Sequence, residues 1–219
     1  MSAVELATMK DHSKNCPANG FIRPSQSPAA ASVMFVKRPD GKLRLVADYR
    51  SLNAVRVKNR FPLPLIPETL DRLHMAKVFT KIDLRNAYHQ VWVKEGDEWK
   101  SAFRCREGHF EHQVCPHGPT NAPAMFQYFM NDILRKYLDI ICVGILDDVI
   151  IFSATLKEHV VHVRKILEVL RQHKLYAKIE KCEFDRVEMT FVGFWSPNPG
   201  SAWIRPRLQP SSSGQPLRL

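Results

Sequence analysis

Ile140-Ile141-Cys142-Val143-Gly144-Ile145-Leu146-Asp147-Asp148-Val149-Ile150-Ile151-Phe152 places two adjacent carboxylates between two apolar arms. Runs of this length that are rich in Val and Ile predict buried strands. The aspartates between them are then expected at a hairpin turn, because Asp tolerates the backbone angles of a tight turn. Adjacent side chains of a straight strand point to opposite faces, so only a turn lets both carboxylates converge. An exposed Asp-Asp turn between two core strands is the alternative interpretation.

A second strand supplies a third carboxylate. Residues 78–84 alternate so that Phe79, Lys81 and Asp83 share one face. Negative charges held close together at the ends of apolar strands destabilise the folded protein unless a cation neutralises them. Mg²⁺ binds one or two carboxylates and keeps places for substrate phosphates. In a basic chain, this combination predicts a two-metal site for phosphoryl transfer, with ions roughly 4 Å apart.

Several motifs resemble those of reverse transcriptases. Residues 81–88 are similar to motif A, residues 115–127 to motif B, and Ile145-Leu146-Asp147-Asp148 to motif C. Residues 20–25, 43–53 and 175–184 resemble gypsy-type LTR retrotransposon polymerases. The resemblance runs from about residue 5 to about residue 200 in the family's order and spacing.

The resemblance implies an α+β fold: the fingers and palm of a right-hand polymerase, with an antiparallel palm sheet backed by helices. It assigns residues 1–19 to an N-terminal segment and residues 20–200 to the fingers and palm. Residues 201–219 contain no Asp or Glu and are rich in Ser and Pro, which favours a disordered tail. The pattern stops there, so the thumb and RNase H segments of the family are expected to be absent.

The implied activity is RNA-directed DNA synthesis. Asp83, Asp147 and Asp148 would be the catalytic residues and the ligands of two Mg²⁺ ions, with Mn²⁺ as a possible substitute. The partners would be dNTPs and an RNA or DNA template with its primer.

The resemblance also assigns substrate contacts. Its nucleotide-binding positions are Lys37, Arg38, Arg44, Tyr88, His117 and Gln127. Arg44 is the strongest triphosphate candidate, because guanidinium binds phosphate through bidentate hydrogen bonds. Tyr88 would be the gate that rejects a ribose 2′-hydroxyl, although an ordinary core tyrosine is the alternative. The implied primer–template contacts are Ile145, Phe191 and Gly193.

Composition agrees with a nucleic-acid enzyme. The chain carries a formal charge of +10, and residues 37–60 hold eight Lys or Arg against two Asp. A charge of that sign suggests a polyanionic partner. The five cysteines are scattered, and no apolar run reaches the roughly 18 residues of a membrane span. These features predict an intracellular protein, cytoplasmic or nuclear and not secreted, without a membrane partner, and leave the oligomeric state open.

Local patterns predict the remaining elements. A basic-tipped hairpin is expected over residues 32–36 and 43–47, and a short helix is expected to open at Pro67. Residues 91–93, 99–105 and 109–114 are expected to be palm strands. Asn121 is expected to cap a helix whose core stripe is Phe126, Phe129, Met130, Ile133, Leu134 and Tyr137.

A last helix is predicted from its own signals. Thr155 and Glu158 form a capping box. Leu156, Val160, Val163, Leu167 and Leu170 follow at intervals of four and three. His159 and His162 lie off that stripe and are expected to be solvated.

Two other functions stay open. Some positions differ from the family pattern: Ile145 replaces a tyrosine, His117 and Pro119 replace a phenylalanine and a leucine, and Asn86 replaces a small residue. A remnant that binds nucleic acid without turnover is therefore one alternative. A small Mg²⁺-binding phospho-acceptor module is the other, but the long gap from Asp83 to Asp147 disfavours it.

Overall fold

The structure, a computed structural model, describes residues 5–10, 19–37, 41, 43–191 and 194–196. The chain divides into two compact units, the first from residues 1–63 and 85–132 and the second from residues 64–84 and 133–219. Both units combine helices with strands, as the α+β prediction requires. Among the residues described, no helix has the length and apolar character needed to cross a bilayer.

The strands, in chain order, are β1 (Ile22–Pro24), β2 (Ala31–Lys37), β3 (Leu43–Ala47), β4 (Val78–Asp83), β5 (Phe103–Cys105), β6 (Gly108–His112), β7 (Cys142–Ile145), β8 (Asp148–Ser153), β9 (Glu183–Arg186), β10 (Met189–Phe191) and β11 (Phe194–Ser196). The helices are α1 (Arg50–Val55), α2 (Ile66–Leu73), α3 (Ala122–Leu134) and α4 (Leu156–Gln172), and residues 5–10 are also helical. Short 3₁₀ helices cover Ala87–Gln90, Glu98–Ser101 and Ile179–Lys181.

The first unit is built on a five-stranded sheet with the order β1-β6-β5-β2-β3. The predicted hairpin is confirmed, since β2 and β3 pair antiparallel with Val36 opposite Arg44. Its core contains Ile22, Ala47 and Phe103 around Tyr49, whose hydroxyl donates to the Ser101 carbonyl at 2.8 Å.

The predicted palm strands were assigned to the wrong sheet. β5 pairs parallel with β2 and antiparallel with β6, so both belong to the sheet of the predicted hairpin. Residues 91–93 make only an isolated bridge, from Trp92 to Val114, and Glu98–Ser101 is a 3₁₀ helix. Alternation had indicated extended backbone but carried no information about which strand is the partner.

Two asparagines tie α1 and the loop after it to the segment before α3. Asn53 donates to the Gly118 carbonyl at 3.0 Å and accepts from the Thr120 amide at 2.8 Å. Asn121 precedes α3 as predicted, but its side chain accepts from the Asn59 amide and donates to the Val57 carbonyl. The Asn121 side chain therefore binds the loop after α1. The predicted stripe of α3 is confirmed at Phe126, Met130 and Leu134, which are fully buried.

The second unit is built on a four-stranded sheet with the order β7-β8-β4-β9. β4 pairs antiparallel with β8 over six residue pairs, from Val78 opposite Ser153 to Asp83 opposite Asp148. One face carries Phe79, Val143 and Ile150, which pack with Leu73 of α2 and with Met189. The opposite face, which includes Thr80, is packed against α4. Because both faces are covered, β4 is almost entirely buried.

Helix α4 begins as predicted, with the Thr155 hydroxyl accepting from the Glu158 amide at 3.3 Å. The prediction that His159 is solvated was wrong, because this side chain has no exposed surface. Its Nε2 lies 2.8 Å from Thr80 Oγ1 and its Nδ1 lies 2.9 Å from Ser153 Oγ. His162 is half-buried and also lies within hydrogen-bonding distance of Ser153, at 2.8 Å. Polar partners on the sheet, which the helical periodicity does not reveal, make this burial favourable.

Some predictions fall outside the described residues. These are the segment 11–18, the tail 201–219, and the substrate-contact candidates Arg38 and Gly193.

Candidate active site

The carboxylate hairpin connects β7 to β8. Ile145 pairs with Asp148, which leaves Leu146 and Asp147 as the two turn residues. The predicted position of the turn was therefore wrong by one residue, because Asp148 already belongs to β8. Leu146 has a φ of 55°, a left-handed conformation that costs a residue with a Cβ about 1 kcal/mol or more. The surrounding sheet, rather than a turn-forming residue, imposes this geometry.

The sheet brings the three predicted carboxylate positions to one end. Asp83 and Asp148 are cross-strand partners, so their side chains share a face. The Leu84 amide donates to the Asp147 carbonyl at 2.9 Å, which ties the turn to the end of β4. Residues more than 60 positions apart in sequence thus form one acidic cluster.

Lysine ammonium groups partner this acidic cluster. Lys81 Nζ lies 3.2 Å from Asp148 Oδ2, and Lys181 Nζ lies 3.1 Å from Asp83 Oδ2. Lys178 Nζ is farther away, at 3.9 Å from Asp83 Oδ1. Alternation placed Lys81 on the carboxylate face, but no local signal linked the two later lysines to Asp83.

The electrostatics of Asp148 reflect this crowding. Burial raises the pKa of its carboxyl group, and the nearby charges of Asp147 and Asp83 raise it further. The Lys81 ammonium acts in the opposite direction but does not reverse the shift. A cation placed among these carboxylates would favour their ionised forms.

The chemistry of the cluster suits a hard cation. Asp83 Oδ1 is buried and has no hydrogen-bond partner, so it has lone pairs available for coordination. Carboxylate oxygens are also the ligands that Mg²⁺ prefers. Within the described part of the chain, however, no three His, Cys, Asp or Glu side chains are already arranged to hold a metal. The donor atoms that Mg²⁺ prefers are therefore present in Asp83, Asp147 and Asp148. For the ion to bind, the ion pairs of these carboxylates with the lysines would have to break.

Three nucleotide candidates lie in the first unit. The Tyr88 ring is half-buried between His117, at 5.1 Å between ring centroids, and Phe126, at 5.4 Å. His117 itself is exposed. Gln127 is fully buried and donates to Asn131 within α3 at 2.8 Å. Tyr88 and His117 therefore form one aromatic group, while Gln127 lies in the interior.

Asn86 lies just before Tyr88 and has a φ of 50°. Asn tolerates this left-handed conformation better than most residues with a Cβ. The departure at Asn86 is therefore compatible with the backbone that leads to the predicted gate.

The two described triphosphate candidates, Lys37 and Arg44, lie on the β2–β3 hairpin, and both are exposed. Arg44 is opposite Val36, whereas Lys37 is opposite Leu43. Cross-strand partners share a face and successive residues alternate, so Lys37 and Arg44 project from opposite faces. The structure does not bring these two cations together.

Two of the candidate primer contacts, Ile145 and Phe191, lie at the ends of strands. Ile145 is half-buried at the end of β7 and packs against the core of the second unit. Phe191 ends β10, which pairs antiparallel with β11.

Comparisons with known proteins agree with the motifs. The family described as "Reverse transcriptase (RNA-dependent DNA polymerase)" matches residues 36–196. The Tf2-3 and Tf2-7 transposon polyproteins of Schizosaccharomyces pombe are 41% and 40% identical over 190 residues. That alignment covers 87% of this chain and 14% of each polyprotein.

Solved structures show the same fold. A foamy viral protease–reverse transcriptase in complex with double-stranded DNA is 23% identical, with a TM-score of 0.82 over 89% of this chain and 34% of that chain. The same viral protein with an RNA/DNA hybrid is 22% identical, with a TM-score of 0.80 over 89% and 26% of the two chains. These matches confirm the predicted fingers-and-palm architecture.

Proposed function

The chain belongs to the reverse transcriptase family, and we propose that it is a DNA polymerase module of a retrotransposon polyprotein that copies RNA or DNA templates. The observation that carries this proposal is the placement of Asp83 opposite Asp148, with Asp147 in the adjoining turn. The polyprotein relatives are about seven times longer than the aligned segment, so the proposal concerns this module alone.

In the proposed reaction the primer 3′-hydroxyl oxygen bonds to the α-phosphorus of a dNTP. The bond from that phosphorus to the bridging oxygen of the β-phosphate breaks, pyrophosphate leaves, and the hydroxyl proton passes to solvent. Two Mg²⁺ ions, or Mn²⁺, held by the three aspartates would supply charge stabilisation to the reacting oxygens. The aspartates contribute their fixed position at the end of a buried sheet, which limits reorganisation during the reaction.

Residues of the first unit are proposed to select the nucleotide. Arg44, with Lys37 and Arg38, would bind the triphosphate, and the Tyr88 ring would exclude a ribose 2′-hydroxyl. His117 contacts that ring and would hold its position. Gln127 is buried, so its proposed role is to support the start of α3 beneath the nucleotide.

The proposed primer–template contacts are Ile145, Phe191 and Gly193. The solved structures of similar fold contain both DNA and an RNA/DNA hybrid.

One observation favours a second function. Lys81 and Lys181 already form ion pairs with Asp148 and Asp83, so the fold does not need a metal to hold these carboxylates. A protein with this arrangement would remain folded and basic without catalysing the reaction. Binding of nucleic acid without turnover is therefore the alternative.

Primer extension on an RNA template with Mg²⁺ tests the proposal. Asp147→Asn should abolish extension, because it removes a proposed metal ligand. Duplex binding should stay intact, because the substitution only removes a negative charge near the phosphates. Asp71→Asn, at an exposed position of α2, is the matched control and should extend normally.

Mn²⁺ binding measured by electron paramagnetic resonance gives a readout independent of turnover. Asp83→Asn should weaken this binding and Asp71→Asn should not. Duplex binding without Mn²⁺ binding or extension in the parent protein would favour the non-catalytic alternative. Equal loss of folding, duplex binding and extension in Asp147→Asn would assign Asp147 a structural role.

A further inference from the structure

Helix α4 has two apolar stripes, and only one of them is buried. His159, Ile166 and Leu170 are buried in the second unit. Leu156, Val160 and Leu167 are exposed, with relative exposures of 56%, 50% and 40%. Most of the periodic residues that predicted this helix therefore face solvent.

The exposed stripe has the spacing of a helix-packing seam. Leu156, Val160, Val163 and Leu167 are separated by four, three and four residues, and Leu170 continues the series into the buried face. Alternation of four and three is the repeat with which one helix packs along another. Val160, Val163 and Leu167 also line a shallow depression of about 410 Å³, together with Arg164, Glu168 and Arg171 of the same helix. The surface thus presents apolar side chains at helical spacing, bordered by charged ones.

Cations border the seam on its solvent side. Lys157, Arg164 and Arg171 recur every seven residues, and all are exposed. Arg171 forms a 3.4 Å ion pair with Glu168, whereas neither Lys157 nor Arg164 has an ion pair with any carboxylate that the structure describes. In a heptad repeat such positions flank the seam and select the partner by charge.

This charge pattern argues against antiparallel pairing with a second copy of the same helix. In an antiparallel pair of α4 helices, Lys157 would approach Arg171 of the other copy and the two Arg164 residues would approach each other. Like charges in these positions are destabilising. Acidic residues in the same positions would be attracted to all three cations.

We propose that the exposed stripe of α4 binds an amphipathic helix of another protein whose apolar seam is bordered by Asp or Glu. A membrane-surface role is less well supported, because none of the 17 residues of α4 is Phe, Tyr or Trp. Nucleic acid would account for the cations but not for the apolar series between them. This surface is separate from the carboxylate cluster, so its function does not depend on polymerase activity.

The test uses two synthetic 21-residue helical peptides with Leu at the a and d positions. One carries Glu at e and g and the other carries Lys, so each repels its own copies and remains monomeric. Fluorescence anisotropy should show that the Glu peptide binds and that the Lys peptide binds at least about tenfold more weakly. Raising the salt concentration should weaken binding of the Glu peptide.

Two matched pairs of variants locate the surface. Val160→Asp should weaken binding of the Glu peptide about tenfold or more, as expected for loss of a central apolar contact. Val161→Asp should not, although Val161 is equally exposed, because it lies off the seam. Arg164→Glu should weaken binding about two- to fivefold and improve binding of the Lys peptide, whereas Lys165→Glu should change neither. Circular dichroism confirms that each variant is folded.

Several results would overturn the proposal. Equal effects of Val160→Asp and Val161→Asp would show that the seam is not the binding surface. A dimer lost in Val160→Asp, seen by sedimentation, would assign the surface to a second copy. Loss of duplex binding in Arg164→Glu but not in Lys165→Glu would assign it to nucleic acid. Binding to anionic lipid vesicles that Val160→Asp removes would assign it to a membrane.

Discussion

Acidification should loosen the second unit through His159. This imidazole is fully buried between α4 and the sheet, and burial lowers its pKa from the ordinary value. The groups around it are Thr80 and Ser153 on the sheet, His162 on the same helix, and Asp185, whose carboxylate lies 3.8 Å away. Asp185 favours the charged form and His162 opposes it, but desolvation dominates. The folded state therefore holds His159 neutral.

The sign and size of the effect follow from this difference. The unfolded chain binds a proton near pH 6.5 and the folded chain binds it at lower pH, so stability is complete above about pH 6.5 and falls as the pH decreases. At pH 5.5 the loss attributable to His159 is at most about 1.4 kcal/mol, reached if the folded state stays neutral. His159→Leu should remove this pH dependence and also lose two hydrogen bonds, which costs about 1–3 kcal/mol at neutral pH.

Urea unfolding of both proteins between pH 5 and pH 8, followed by circular dichroism, measures these quantities. His162→Leu, at a half-buried neighbour, is the control and should cost under about 1.5 kcal/mol at neutral pH, since it loses one hydrogen bond. The reasoning is refuted if His159→Leu retains the parent's loss of stability below pH 6.5. A neutral or stabilising effect of the substitution at pH 7.5 would likewise contradict the hydrogen-bond assignment.

Three further outcomes are expected. Ile145→Tyr should raise steady-state extension about tenfold at matched folded fraction, because it adds a ring surface and a hydroxyl that can gain a hydrogen bond. No gain over a measurable starting rate would mean that another departure, such as His117, limits the rate. Arg44→Gln should raise the KM for dNTP about tenfold without changing duplex affinity, while Arg104→Gln, on the exposed side of β5, should change neither. Duplex binding should be weak, with a Kd of about 10⁻⁴–10⁻⁶ M, and should weaken steeply with salt, because phosphate contacts dominate it; a salt-insensitive nanomolar complex in a filter-binding titration would contradict this.

The sequence predicted the central sheet of the second unit well, because its signal is local. Val and Ile are concentrated in β7 and β8, and alternation in β4 placed Lys81 and Asp83 on one face. Once the two strands pair in register, Asp83 must lie opposite Asp148. The helix α4 was equally clear, since its cap and its periodicity are contained in one short segment.

The features that the sequence did not reveal are contacts between residues that are far apart in the chain. His159 is polar, and its hydrogen-bond partner Thr80 is 79 positions away in the chain. The residues next to His159 in sequence therefore do not indicate that it is buried. Lys181 is separated from Asp83 by 98 positions. The same reason explains β5, whose extended backbone was predicted but whose parallel partner β2 was not. Helical periodicity also could not distinguish the buried stripe of α4 from the exposed one, because both contain apolar residues at helical spacing.

The position of β4 in the chain order has a consequence for synthesis on the ribosome. Both of its neighbours, β8 and β9, are made later, and β8 begins 65 residues after Asp83. At about 5–20 residues per second, β4 waits roughly 3–13 s for its first partner. During that interval an apolar strand has both edges unpaired, which favours association with other nascent chains. Slower translation across residues 84–148 should therefore lower the soluble yield of the protein, even though its folded form leaves β4 almost completely buried.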